Sequence, residues 1–268
     1  MPAARIAENL AFINWTVLTS LAVGAYAAVL VGWLRTSATK GYLSFVAVTA
    51  AVFGALAWLS DGALPAGDAP SLRAAALAVY TALALVSSVA IARGVRSLFV
   101  AAVGAASALI VLAAGAASWG GSPLGAALLF VQLAVLSAAT GGVWAAMILG
   151  HWYLVTPRLP EAPLVLFARL LTGVVAVQLV LFLVWGLTGA GPEGVAGLGA
   201  LTGAWALFVW LRLIVGLVFP LIVSWAAVQT ARTRSMESAT GLLYINVGTI
   251  AAGTILAAGL YFGAGLLV

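Results

Sequence analysis

Residues Leu201 to Val228 read LTGAWALFVWLRLIVGLVFPLIVSWAAV, and Arg212 is the single charge among them. A bilayer core about 30 Å thick needs roughly 20 consecutive apolar residues in a helix, so this stretch is long enough to cross one. Working outward, the same test finds seven more runs: Asn14 to Leu34, Gly41 to Ser60, Ala74 to Ala92, Ser97 to Ser118, Pro123 to Gly150, Pro163 to Leu187 and Ser238 to Leu260. The breaks are short. The longest, around Asp61 to Arg73 and Thr188 to Gly199, hold the Asp, Gly and Pro expected of turns. The expected fold is all-α, a polytopic bundle of eight transmembrane helices forming one domain over residues 1–268, with no soluble domain.

Composition agrees with a lipid solvent. Of 268 residues, 65% are hydrophobic and 6% charged, whereas a soluble domain carries roughly a quarter charged residues. The net charge of +5 is dispersed, with no basic cluster beside interleaved aromatics, so nucleic acid is not an expected partner. The absence of Cys removes disulfides, thiolate metal sites and Cys nucleophiles. Lys and Arg near helix ends are retained on the cytoplasmic side. Arg35, Lys40, Arg93, Arg96, Arg158, Arg232 and Arg234 fall on one face, against Arg5 and Arg73 on the other, whose loops hold Asp61, Asp68 and Glu193. Both termini are therefore expected on the extracytoplasmic side, in a bacterial cytoplasmic (inner) membrane. An echo also aligns Gly41, Leu43, Thr49 and Ala57 with Gly241, Leu243, Thr249 and Ala257, as a parallel repeat would.

Ionisable groups at membrane depth are costly and point to function or to a specific pairing. Arg212 lies about eleven residues into its run, roughly 16 Å deep at 1.5 Å per residue. Gln132 and Gln178, each about nine residues from the same face, reach roughly 13 Å. All six carboxylates map to loops, termini or run ends, so the guanidinium is expected to find amide oxygens, carbonyls, water or a ligand acceptor. Either it ties helices together, or it holds a quinone carbonyl, a haem propionate, a lipid phosphate or a small anion. Pro220 lacks an N–H and so frees the carbonyl near Gly216 on the same helix.

A second polar layer is expected toward the cytoplasm: His151, Arg169, Tyr244 and Asn246, bordered by Glu161 and Glu237 as partners for Arg169 or Arg158. His151 reads as an interfacial hydrogen-bonding residue at a helix C-terminus, as a haem ligand, or as a proton-transfer or substrate contact. Haem would need a second ligand such as Met147 or Met236, and Met147 shares a helix face with His151. Most of the Trp, among them Trp15, Trp58, Trp119 and Trp225, fall near run ends as interfacial anchors, whereas Trp144, Trp205 and Trp210 lie deeper. Without an embedded carboxylate, proton pumping and cation coupling are disfavoured, as is metal-dependent hydrolysis without clustered His or acids.

The string Gly216-Leu217-Val218-Phe219-Pro220-Leu221 resembles the Gly-Leu-x-x-Pro-Leu pattern of a late helix in the polysulfide-reductase membrane-subunit (NrfD-like) family. That resemblance implies a cofactor-free, quinol-binding subunit paired with electron-transfer proteins, and it covers one helix of eight. Three functions are carried forward. The first is a respiratory-type membrane subunit, an accessory rather than a catalytic one, binding a quinone-like or other amphipathic ligand alongside other subunits and lipids. The second is a carrier or channel for a small neutral or anionic solute. The third is a structural, lipid-binding subunit of a larger complex.

Overall fold

The computed structural model describes residues 1–64, 70–95, 97–156, 158–192 and 197–268. Asp68, Arg96 and Glu193, three of the loop charges weighed for orientation, lie outside them. The helices are α1 (Pro2–Glu8), α2 (Leu10–Arg35), α3 (Lys40–Asp61), α4 (Pro70–Ala92), α5 (Leu98–Trp119), α6 (Pro123–Val155), α7 (Ala162–Thr188), α8 (Ala206–Leu213), α9 (Phe219–Arg232) and α10 (Met236–Ala264). A π-helical turn, Ile214–Val218, joins α8 to α9, so that Ala206–Arg232 forms one continuous span. Eight spans are long and apolar enough to cross a membrane. In lipid each backbone amide must be satisfied internally, which leaves the helix as the conformation these runs can take.

Local chemistry sets the ends. Hydroxyls of Thr39, Ser97 and Ser122 accept hydrogen bonds from the amides of Tyr42, Val100 and Gly125, capping α3, α5 and α6. Gly189 and Gly265 stop α7 and α10 in the left-handed conformation, at φ 68° and 65°. At Gly265 the Leu266 amide donates back to the Leu260 carbonyl at 3.1 Å, a Schellman closure that turns the chain back toward the bundle.

The α2 and α6 spans form the centre. At their crossing, a Cβ added to Gly24 would lie 1.7 Å from the Ser137 carbonyl oxygen, and one on Gly141 would lie 2.1 Å from the Ala25 amide nitrogen. Association in lipid depends on close packing and polar contacts, and small residues permit both here. Gly216 and Gly253 make a second close approach, between the π turn and α10, and Thr140 and Thr254 share a hydrogen bond of 2.7 Å between α6 and α10. α3 packs mainly on α2 and α4, and α10 on α6, α9 and α2, so the two echoing runs share α2 as a neighbour and differ in the rest of their main packing.

Even-numbered crossing brings the ends of the chain together: Gly259 lies against Ile6, and Gly263 against Trp205 and the backbone of Arg5. This end is the terminal face; the opposite, basic face carries Arg35, Lys40, Arg93, Arg158, Arg232 and Arg234. Asp61 and Arg73, at the terminal ends of α3 and α4, form an ion pair of 2.9 Å with both side chains 3% exposed, and the Arg73 guanidinium sits 4.8 Å from the Trp119 ring centre. Trp15 is fully buried edge-on against Trp119, so these two pack inward, whereas Trp58 and Trp225 are exposed on the helix surface.

Two expectations need correction. The seventh run does not begin as a helix at Leu201: Gly197–Leu201 is a short 3-10 turn, and regular helix starts at Ala206. Gly203 interrupts the run, its amide donating to the Gly199 carbonyl and its carbonyl accepting from the Ala206 amide. Arg212 is thus six residues into α8, roughly 9 Å from its start rather than 16 Å.

Candidate functional site

Arg212 is the hub. It is 2% exposed, and its three donor directions go to three elements: Nη2 to Gln178 Oε1 of α7 at 2.8 Å, Nη1 to the Gly216 carbonyl at 3.3 Å, and Nε to the Val268 main-chain oxygen at 3.4 Å. The Gly216 acceptor has a local origin. Pro220, without an N–H, cannot close the helical bond to residue 216, and the chain widens into the π turn at that place. Turns of this kind concentrate at functional positions in helices.

Gln178 donates its own Nε2 to the Val135 carbonyl of α6 at 2.8 Å, which leaves its Oε1 pointing at Arg212. Gln132, on α6, donates Nε2 to the same Val268 oxygen at 2.8 Å. The three polar residues read from sequence as one layer are therefore brought together, and two of them converge on a single oxygen. No Asp or Glu side chain pairs with Arg212 among the described residues.

The segment Gly265–Val268 supplies that oxygen. Leu266, Leu267 and Val268 are all buried, Val268 at 4%; Leu266 and Val268 pack with Phe182, Val209 and Leu217 of α7, α8 and the π turn, and Leu267 with the main core. Above them, a cavity of about 480 Å³ opens at the terminal face, walled by the Gly120–Ser122 turn, the end of α7 and Tyr261, with Leu267 on its lining. Sequence reasoning missed this segment, because the eighth run was ended at Leu260 and Leu-Leu-Val carries no polar side chain to mark a site. The one available signal was Gly265 itself, a helix-stopping residue.

The second polar layer does not assemble. Tyr244 is 50% exposed, and His151 and Arg169 are also on the bundle surface. None of the three has a side-chain hydrogen bond or ion pair among the described residues. Arg169, seven residues into α7, is placed to run its stem along lipid toward the basic face. Only Asn246 is buried, donating to Ser224 Oγ at 2.8 Å and to the Pro220 carbonyl at 3.3 Å. Glu161 pairs with Arg234, at 3.2 Å between exposed side chains, instead of with Arg158 or Arg169. Among the described residues no three His, Asp or Glu cluster as a metal site. Met147 is buried while His151 faces outward, so the two do not frame a common haem position.

The chain is a polytopic membrane helix bundle. No family model, curated protein or solved structure matches it.

Proposed function

We propose that the protein is a membrane subunit that binds a quinone-like or other amphipathic ligand by an oxygen acceptor at Arg212 and Gln132, in association with electron-transfer partners in a bacterial cytoplasmic membrane. One observation carries this reading: Arg212 Nε and Gln132 Nε2 converge on one buried oxygen, that of Val268. Two convergent donors, one of them charged, form the kind of anchor a ligand carbonyl or carboxylate requires. Gln178 fixes the guanidinium, and the cavity at the terminal face offers a way in past Leu267. The Gly216–Leu221 string lies in the same place, at the π turn beside Arg212, in keeping with the quinol-binding resemblance.

The test is binding of a short-chain quinone analogue to the purified chain in mixed micelles, followed by quenching of tryptophan fluorescence. Arg212→Gln and Gln132→Leu should each weaken binding, and a chain ending at Gly265 should bind more tightly. Equal affinity in all four proteins would sink the reading.

A second reading, a structural subunit, is favoured by one specific fact: every donor named above already has an acceptor within the chain. It predicts that removing Leu266–Val268 lowers stability and creates no binding.

A further inference from the structure

We infer that an anionic phospholipid occupies a fixed site in a furrow between α2 and α7, with its phosphate at Arg35 and an acyl chain running inward over α6. The furrow arises because α2 and α7 both pack on α6, while between themselves they meet where the Phe167 ring lies beside Gly32. Its two banks have the same spacing. Gly24, Ala28, Val31 and Arg35 follow one another at four, three and four residues, and so do Pro163, Phe167, Leu170 and Val174. That spacing puts each set on one helix face.

The inner part is an apolar slot of about 180 Å³ floored by Ala138 and Gly142 of α6. Gly142 has open space where a Cβ would be, so its small size keeps the floor low. Beyond the contact of Phe167 with Gly32, at the basic face, lies a second, polar cavity of about 530 Å³, lined by Arg35, Thr36, Ser37 and the start of α7. From Gly24 to Arg35 the axis rises roughly 16 Å, about half of a 30 Å bilayer core. The two cavities, aligned along the α2–α7 seam, therefore span the depth of one leaflet, the inner one apolar and the outer one cationic, and a lipid held at both would cross the Phe167–Gly32 contact on the outer surface.

Charge complementarity selects the headgroup. Arg35 is exposed and has no ion-pair partner among the described residues, and the nearby acid, Glu161, is held by Arg234 at 3.2 Å. An anionic phosphodiester fits this outer cavity and a zwitterionic lipid gains less from it. The site is separate from the Arg212 cluster, which lies toward the terminal face.

The experiment uses the full chain in phosphatidylcholine nanodiscs with increasing phosphatidylglycerol, read by native mass spectrometry for retained lipid and by thermal melting. One phosphatidylglycerol should be retained per chain, with a rise in melting temperature. Arg35→Gln should raise the half-saturating phosphatidylglycerol fraction about fivefold. Gly142→Leu, whose side chain enters open space, should fold and lose retention of both lipids; Ala138→Leu provides a second way to fill the slot. Equal retention of the two lipids with no effect of Arg35→Gln would overturn the site. So would a dimer that Gly142→Leu converts to a monomer, since a second copy would then cover the furrow, or displacement of the lipid by glycerol phosphate alone.

Discussion

Arg212 of α8 and Gln178 of α7 are joined by a 2.8 Å hydrogen bond in which the guanidinium donates and the amide oxygen accepts. Because the same amide donates to α6 through Val135, one glutamine links three spans. Removing it takes an acceptor from a buried charge, which is more damaging than removing the charge and its acceptor together. Gln178→Leu should cost about 2–3 kcal/mol, and Gln178→Leu combined with Arg212→Met should cost less than Gln178→Leu alone. Unfolding of the four-member cycle in denaturing detergent mixtures reads this coupling.

The Asp61–Arg73 pair responds in the same manner at the terminal face. Both side chains are nearly inaccessible, so Asp61→Leu leaves an arginine whose remaining close contact among the described residues is the Trp119 ring. A loss of about 3–5 kcal/mol is expected when one partner of a buried pair is removed. Arg73→Met with Asp61→Leu should recover a good part of that in the same unfolding assay.

Glycines separate by position. At Gly24 a Cβ meets the backbone of α6, which has no side-chain freedom with which to yield, so Gly24→Ala should push α2 from α6 and lower the melting temperature sharply. Gly142→Ala should be neutral or stabilising by up to about 1 kcal/mol, the helix-propensity difference between the two residues. A pair of thermal melts decides the matter, and equal effects would contradict the packing at the α2–α6 crossing.

Orientation is open to a direct check because the chain contains no Cys. Single variants Ser37→Cys on the basic face and Thr202→Cys on the terminal face should be labelled from opposite sides of sealed membrane vesicles. Retention of basic loops in the cytoplasm predicts labelling of Ser37→Cys from the cytoplasmic side. The reverse pattern would invert the topology.

Much of this arrangement can be read from residue order. Run length alone yields the eight spans, since lipid leaves a long apolar segment no alternative to helix. The contacts of Arg212 with Gln178 and Gly216 are legible for the same reason: polar groups at one depth seek each other, and Pro220 leaves a carbonyl free. Depth can be counted along a helix, but which way a residue faces depends on which helices pack beside it. His151, Arg169 and Tyr244 share a depth with Asn246 and still face outward, because no neighbour covers their side of α6, α7 or α10. The Val268 contact and the Asp61–Arg73 pair are tertiary events. The first depends on a left-handed glycine that reverses the chain, and the second on a turn that sets two span ends side by side.

The π turn at Ile214–Val218 divides its span into two separately phased rods. Relative to an unbroken α-helix it amounts to one additional residue, so every position beyond it is rotated by about 100° from where α8 alone would place it. Arg212, before the turn, faces α7 and the Val268 segment, whereas Ser224, after it, faces Asn246 of α10. Deleting one residue within the turn would restore a uniform helix and force a choice between these two neighbourhoods. A change of winding at Gly216 would therefore turn Arg212 and Ser224 relative to one another, and with them their bonds to α7 and α10.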